Sequence, residues 1–434
     1  MRELEPEAVA VLDRLHHNGF DAYLVGGFVR DSLLQKPTQD IDIATSAKPE
    51  EVIGLFEHTV PTGLQHGTVT VLVNKKAYEV TTFRSEADYE QHRRPKQVVF
   101  VSDLLEDLQR RDFTINAMAF DRNGELVDPF GGWQDLKQGR VRCVGSPEER
   151  FQEDALRMMR AIRFAANYGF EIENETWEAL TSCKALLRYV AMERIYAEWH
   201  KMMEGTGAFR GLQLLVDSGL LAYLKKPLNW PIANWQGQHV PNEWAVMEEH
   251  MAAGSRWAIA AIGMRLDAVS FQNGARVLTM PSKLIRSLAK LLEADQWVKR
   301  QLGEASGSNL CVPQLLWKRA ILQWGAPVML EWAELVNLAE KAVLLYEQEQ
   351  TAVDRLVEMA HYGKQWLDEL EATQISELKI GGGELAHAFE RREGPWIGKL
   401  LRQLLSEVVL NQLPNEKNVL IDKAKSLLKS DSYE

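Results

Sequence analysis

The chain contains no uninterrupted apolar run of about eighteen residues, so nothing in it predicts a membrane-spanning helix. Its first residues, Met1-Arg2-Glu3-Leu4-Glu5, carry no apolar signal core. Cysteine is scarce. Cys143, Cys183 and Cys311 are odd in number and far apart, which excludes a disulfide framework and a zinc-ligand spacing. The expectation is a cytoplasmic protein whose cysteines are small buried apolar groups. Positive charge is also in short supply. A net charge of −11 argues against a protein that coats nucleic acid without regard to sequence. No Gly-Lys-Ser/Thr follows the glycines at 26–27, so there is no P-loop, and no repeat of fixed period is visible. What is present is 434 residues, 46% hydrophobic and 26% charged, an ordinary soluble composition long enough for two to four domains.

The β signals are confined to the first third. Residues 6–18 read as a helix with Pro6 in the first turn and Gly19 as the stop. Asp21–Val25 reads as a strand, Phe28–Leu34 as a helix, Gln39–Ala44 as a second strand, and Lys48–Phe56 as a further helix. Residues 67–74 and 76–83 alternate β-branched and polar side chains around Asn74-Lys75, which predicts a hairpin. Residues 84–97 are polar, lack a clean period, and read as a mobile loop. From about Phe151 helical periods dominate, and the tryptophans there (Trp199, Trp244, Trp257, Trp297, Trp317, Trp332) read as helix-packing core. The expected fold is therefore α+β: a head with a small mixed sheet, then an all-helical remainder.

Four stretches carry chemistry. Gly26-Gly27 before a helix would let a phosphate approach backbone N–H groups, with Arg30 adding a charged contact. The alternative is a tight turn with Arg30 paired to Asp31. Asp40-Ile41-Asp42 places two carboxylates at i and i+2, on one face if both lie in a strand. Adjacent carboxylates repel unless a cation lies between them, and hard oxygen pairs suit Mg²⁺. Glu79 would be a third carboxylate if its strand neighbours theirs. Arg110-Arg111-Asp112-Phe113-Thr114-Ile115-Asn116-Ala117 reads as a turn and a half of helix, with Arg111 free to reach a phosphate or ribose and Asn116 as a cap or an internal hydrogen bond. Glu153-Asp154-Ala155-Leu156-Arg157 continues to Arg160 and Arg163 at steps of three on an expected helix. Such a stripe winds by about 60° per step, so Asp154 and Arg163 should not share a face. An Asp–Arg pair has a further property. The carboxylate only accepts and the guanidinium only donates, which complements the amino donor and ring acceptor of cytosine or adenine. Guanine and uracil would leave both contacts unmade, at about 1–3 kcal/mol each.

These residues resemble the bacterial class II CCA-adding tRNA nucleotidyltransferases of the DNA polymerase β-like superfamily. The likeness runs through Leu24–Asp31 with Asp40-Ile41-Asp42, Arg110–Ala117, Asp128-Pro129-Phe130-Gly131-Gly132 and Glu153–Arg157, with Glu193-Arg194 on a bracing helix. It implies a nucleotidyltransferase head (1–150), a helical neck with the nucleotide-selecting helix (151–205), a helical body (206–325) and a helical, tRNA-binding tail (326–434). It implies addition of C, C and A to tRNA 3′ ends from CTP and ATP by two-Mg²⁺ transfer with release of pyrophosphate. Asp40 and Asp42 fall on the catalytic and metal positions. Gly27, Arg30, Arg111, Asp154, Arg157, Arg160 and Arg163 fall on nucleotide-binding positions. Residues 84–97 match the family's flexible loop, at a length that favours full CCA addition. Rival readings are an A-adding enzyme or poly(A) polymerase, a catalytically silent tRNA-binding module, and a nucleotide sensor. The expected assembly is a monomer or homodimer.

Overall fold

The alternating β-branched stretches form one mixed seven-stranded sheet. In a computed structural model of the chain, described for residues 5–38, 40–90, 94–235, 237–304, 312–345, 347 and 349–429, the elements run in the following order. Helix α1 (Pro6–His17) leads into β1 (Ala22–Val25), then α2 (Gly27–Leu33), β2 (Asp42–Thr45), α3 (Pro49–Leu55), β3 (Thr59–Gly63), β4 (Thr68–Val73) and β5 (Lys76–Thr82). After these come β6 (Arg84–Glu90), β7 (Arg94–Phe100), α4 (Leu104–Gln109), β8 (Ala119–Phe120) and β9 (Leu126–Val127). The sheet order is β3-β4-β5-β2-β1-β8-β9. All neighbours are antiparallel except β2 and β5, which run parallel with Asp42 opposite Glu79. The β4–β5 hairpin turns at Asn74 and Lys75, both with positive φ (49° and 66°). Two left-handed residues match the twist of the strands they join.

Residues 84–90 and 94–97, expected in a loop, lie in strands. Strands β6 and β7 pair antiparallel with each other as a separate two-stranded ribbon, Arg84 opposite Phe100. The tip, 91–93, lies outside the described residues. The 84–97 stretch is polar and lacks a clean period, so no apolar alternation marks it. At its root Val99 and Phe100 are exposed.

The chain continues with α5 (Gly132–Lys137), β10 (Arg140–Val141), α6 (Pro147–Glu153), α7 (Leu156–Tyr168), β11 (Glu171–Ile172), α8 (Asn174–Cys183), α9 (Met192–Glu204) and α10 (Ala208–Ser218). Strands β10 and β11 pair in parallel. Val25, Ala44, Phe83, Leu108, Ala117, Ala119 and Val144 form one buried cluster, which seats α4 on the sheet through Leu108. Helix α5 approaches the loop before β8 closely: a Cβ on Gly132 would meet the Thr114 carbonyl oxygen at 2.2 Å, so only glycine fits there. These elements belong to one compact unit, Met1–Val240 with Val277–Thr279.

The second unit, Pro241–Arg276 with Met280–Glu434, is helical throughout its described regular elements, from Ala253–Gly263 to Lys417–Lys429. Trp244, Trp257, Trp317 and Trp332 are fully buried in it, as is Trp199 in the first unit, while Trp297 is half-buried. The core reading of the tryptophans holds for five of the six. Leu385, Trp396, Leu400, Leu404 and Leu420 belong to a further cluster near the C-terminus. No described helix is long and apolar enough to cross a membrane.

Candidate active site

The turn between β1 and α2 depends on glycine. Gly26 has φ 72° and ψ −133°, a conformation that side chains resist. A Cβ there would lie 3.2 Å from Arg111 Nη1 and 3.5 Å from Asp42 Oδ2. Gly26 therefore lets an arginine and a carboxylate close over the start of α2. Arg30, one turn in, is buried and carries the pairing that the simpler reading expected. Its Nε and Nη2 donate to the two Asp31 oxygens at 3.0 and 2.8 Å. Its Nη1 donates to Asn116 Oδ1, and its guanidinium lies over the rings of Phe164 and Tyr168 at 5.1 and 4.8 Å. The Tyr168 hydroxyl donates to Asp31 Oδ1 at 2.7 Å. Arg30 is thus held rigidly between α2 and α7 while still bordering the cavity described below.

Asp42 opens β2, and Asp40 lies just ahead of the strand, exposed. The expected strand was longer at this end; its residue 39 lies outside the described residues. Glu79 is in register with Asp42 on the parallel neighbour, as its adjacency to the aspartate strand required. Burial, and then the charge of Glu79, push the Asp42 carboxyl above its ordinary range, with Arg111 pulling the other way and Asp40 adding to the rise. Among the described residues no three His, Cys, Asp or Glu side chains are gathered closely enough to hold a metal by themselves. Even so, mutually repelling hard oxygens suit a divalent cation whose remaining ligands come from phosphate and water.

Arg110–Ala117 is not one helix. Helix α4 ends at Gln109, Phe113 is extended (φ −126°, ψ 150°), and Thr114–Asn116 makes a short 3₁₀ turn. The break exists because Asp112 turns inward. Its Oδ1 accepts from its neighbour's Phe113 N–H at 2.8 Å and from Asn116 Nδ2 at 3.0 Å, while Oδ2 accepts from Arg160 Nε at 2.7 Å. Asn116 makes the internal bonds expected of it. Burial alone would raise the Asp112 carboxyl, but the charge of Arg160 and the bonds from Asn116 and Arg160 more than offset that, holding it far below the carboxylate range. The folded state thus keeps this acid ionised to lower pH than the unfolded chain does. The pairing contributes fully above the unfolded value, about 3.9, and is lost as pH falls below it. Asp112→Asn should cost about 3 kcal/mol at pH 7. The gap between variant and parent in urea titrations should begin to shrink as pH falls below about 4 and keep shrinking toward the much lower folded value; a gap independent of pH would show that the charge contributes nothing.

Asp154 and Arg157 are not neighbours on a helix surface. Helix α6 stops at Glu153, Asp154 is extended (φ −139°, ψ 101°), and α7 starts at Leu156. The Asp154 carboxylate accepts the Leu156 N–H at 3.1 Å, capping the start of α7 as aspartate readily does. Arg194 of α9 grips it with both Nη atoms, at 3.3 and 2.7 Å. Arg157 donates to the Arg150 and Arg110 carbonyls at 3.1 and 2.9 Å and pairs with Glu153. Arg163 pairs with Glu198 of α9, and Arg160 lies 3.6 Å from the same carboxylate.

One cavity of about 520 Å³ gathers these groups, within the range of small-ligand sites, about 300–1,000 Å³. Gly27, Arg30, Asp42, Arg111, Asp154, Arg157, Arg160 and Arg163 line it; Asp40 does not. Asp154 and Arg163 share this lining without sharing a helix face, as contacts to successive parts of an extended ligand allow. Asp154 precedes the helix, and long arginine stems reach back over its face. Sequence reasoning missed Arg84, Asp112 and Phe164 as lining residues, and Glu153 and Glu198 as the partners that orient the arginines. The acid spacing within Glu153–Arg157 was the signal available for the first of these partners.

The mixed sheet, the glycine turn, the buried carboxylate at a strand start and an arginine-rich cavity define a nucleotidyltransferase. Three families match the chain: the poly(A) polymerase head domain over residues 22–142, the probable RNA and SrmB-binding site of polymerase A over 169–229, and the putative tRNA nucleotidyltransferase domain 2 over 315–424. The CCA-adding enzyme of Anoxybacillus flavithermus is 36% identical over 427 residues, 97% of this chain and 96% of that one. That of Enterococcus faecalis is 35% identical over 419 residues, 96% of this chain and 95% of that one. Among solved structures, the Bacillus stearothermophilus CCA-adding enzyme in complex with CTP is 31% identical, with a TM-score of 0.78 over 98% of this chain and 99% of that one. The chain belongs to the CCA-adding enzymes.

Proposed function

We propose that this protein adds C, C and A to the 3′ end of tRNA from CTP and ATP without a nucleic-acid template. One observation carries the reading: the carboxylate suited to phosphoryl chemistry, Asp42, and the donor–acceptor pair suited to base choice, Asp154 and Arg157, line the same cavity. The terminal tRNA hydroxyl oxygen attacks the α-phosphorus, the bond to the bridging oxygen of the β-phosphate breaks, pyrophosphate leaves, and the hydroxyl proton passes to solvent. Gly27 and Arg30 border the triphosphate, Arg111 the ribose or phosphate, and Arg160 and Arg163 successive parts of the nucleotide. Asp40 and Asp42 would hold Mg²⁺, which when bound supplies charge neutralisation at the reacting phosphate. The protein's share is alignment and fixed charge. In this reading residues 1–150 are the catalytic head, 151–205 the selecting neck, 206–325 the body, and 326–434 the tail that holds tRNA.

The test gives the protein tRNA ending before CC and tRNA ending in CC, with each labelled nucleoside triphosphate in turn. CTP should extend the first, ATP the second, and GTP and UTP neither. Extension of the second substrate alone would identify an A-adding enzyme. Long A tails would identify a poly(A) polymerase.

A further inference from the structure

We infer that Asp107 is a positioning residue that sets Arg111 over the active-site cavity and ties it to the root of the β6–β7 ribbon. The inference rests on the reading of Arg111 as a nucleotide contact.

Asp107 sits on α4 with 1% of its surface exposed. Its Oδ1 accepts from Arg110 Nε and Nη2 at 3.0 and 2.7 Å and from the Arg84 backbone N–H at 3.4 Å. Its Oδ2 accepts from Arg111 Nη2 at 3.1 Å. A buried ion pair is poor value as a stabiliser, because apolar side chains fill the same space without the desolvation cost. A carboxylate satisfied by three different residues does something an apolar group cannot: it fixes the plane of a guanidinium.

The arginine it fixes is only partly used by the protein. Arg111 Nη1 makes a long bond, 3.5 Å, to the Asn116 carbonyl, and its buried Nε has no partner. Arg111 lines the cavity, where a guanidinium suits an incoming anion. Asp107 grips the far Nη, so the near edge of the fork faces Gly26 and Asp42. Burial alone would raise the Asp107 carboxyl, but Arg111 and Arg110 more than offset it and hold it below its ordinary value, so it stays ionised.

The same short helix reaches further. The Arg84 side chain lines the cavity and donates to the His66 carbonyl, while its backbone begins β6. At the other end of α4, the Gln109 and Arg110 carbonyls accept from Arg150 and Arg157 at 3.1 and 2.9 Å. Ribbon root, ribose-side arginine and base-side arginine are thus all attached to one short stretch of chain, the first two through the Asp107 carboxylate and the third through the Arg110 carbonyl.

The experiment uses the full chain with substitutions Asp107→Asn, Arg111→Ala and the double variant. It measures KM and kcat for CTP on tRNA lacking CCA and for ATP on tRNA ending in CC, together with thermal melting. Asp107→Asn keeps the shape but turns a donor toward Arg111. It should raise KM for both nucleotides about tenfold, equivalent to about 1.4 kcal/mol, with a smaller fall in kcat. In the Arg111→Ala background the same change should add less than about twofold, because the group it positions is gone. Asp107→Glu, which restores the charge, should recover part of the KM. An Asp107→Asn protein with a lower melting temperature but a parental KM overturns the inference, as does an effect that multiplies fully with Arg111→Ala. A parental KM in Arg111→Ala would instead overturn the nucleotide-contact reading, and this inference with it.

Discussion

Asp42→Ala will abolish incorporation of both CTP and ATP while leaving the protein folded. The carboxylate opens a central strand, hydrogen-bonded on one side to β1 and on the other to β5. Burial and the Glu79 charge disfavour its ionised form. A group whose folded value is raised destabilises the native state as pH rises past its unfolded value, near about 3.9. Removing it should therefore leave the melting temperature unchanged or higher at pH 7, as happens where a reactive group is kept at the expense of stability. Activity should fall at least about 10³-fold, the scale of losing a preorganised charge in a transition state. Asp40→Ala should fail in the same assay. Single-nucleotide extension of tRNA, read beside a melting curve, checks both. Parental turnover in either variant would remove the metal assignment; loss of the melting transition in Asp42→Ala would refute the stability argument.

Asp154→Ala and Arg157→Ala should each relax the choice among nucleotides rather than stop the chemistry. Cytosine and adenine present a donor beside an acceptor, and the pair offers the complement. Each wrong base leaves a buried group unpaired at about 1–3 kcal/mol, so each truncation should lower the CTP-over-UTP ratio of kcat/KM by roughly 10- to 100-fold. The surroundings sharpen this. Asp154 is oriented by Arg194, and Arg157 by Glu153 and two carbonyls, so in the proposed reading selection would come from side chains fixed before a nucleotide arrives. Ratios that survive both truncations would show that something other than this pair reads the base.

The local parts of the site were legible. Gly26-Gly27, Asp42 and the β4–β5 hairpin are set by spacing over a few residues, where sequence pattern and backbone geometry coincide. The Arg30–Asp31 pairing was visible for the same reason. What could not be read were the partners brought from far along the chain. Asp112 meets Arg160 across 48 positions; Asp154 meets Arg194 across 40, where the family resemblance supplied the bracing helix but not the contact. These contacts also explain the misread helices: a buried carboxylate at 112 and a capping carboxylate at 154 each end a helix that propensity alone would have continued. The ribbon at 84–100 was missed because its sequence is polar and lacks a clean period.

The parallel pairing of β2 with β5 bears on how accuracy and activity depend on heat. Asp42 is carried by a strand with neighbours on both sides, in the part of a fold that opens last. Asp154 sits in the gap between two helices, held by side chains at a joint where helices fray first. As the molecule loosens, the chemistry should outlast the choice of base. Near the upper limit of its stability, the enzyme would first write wrong letters and only later stop writing.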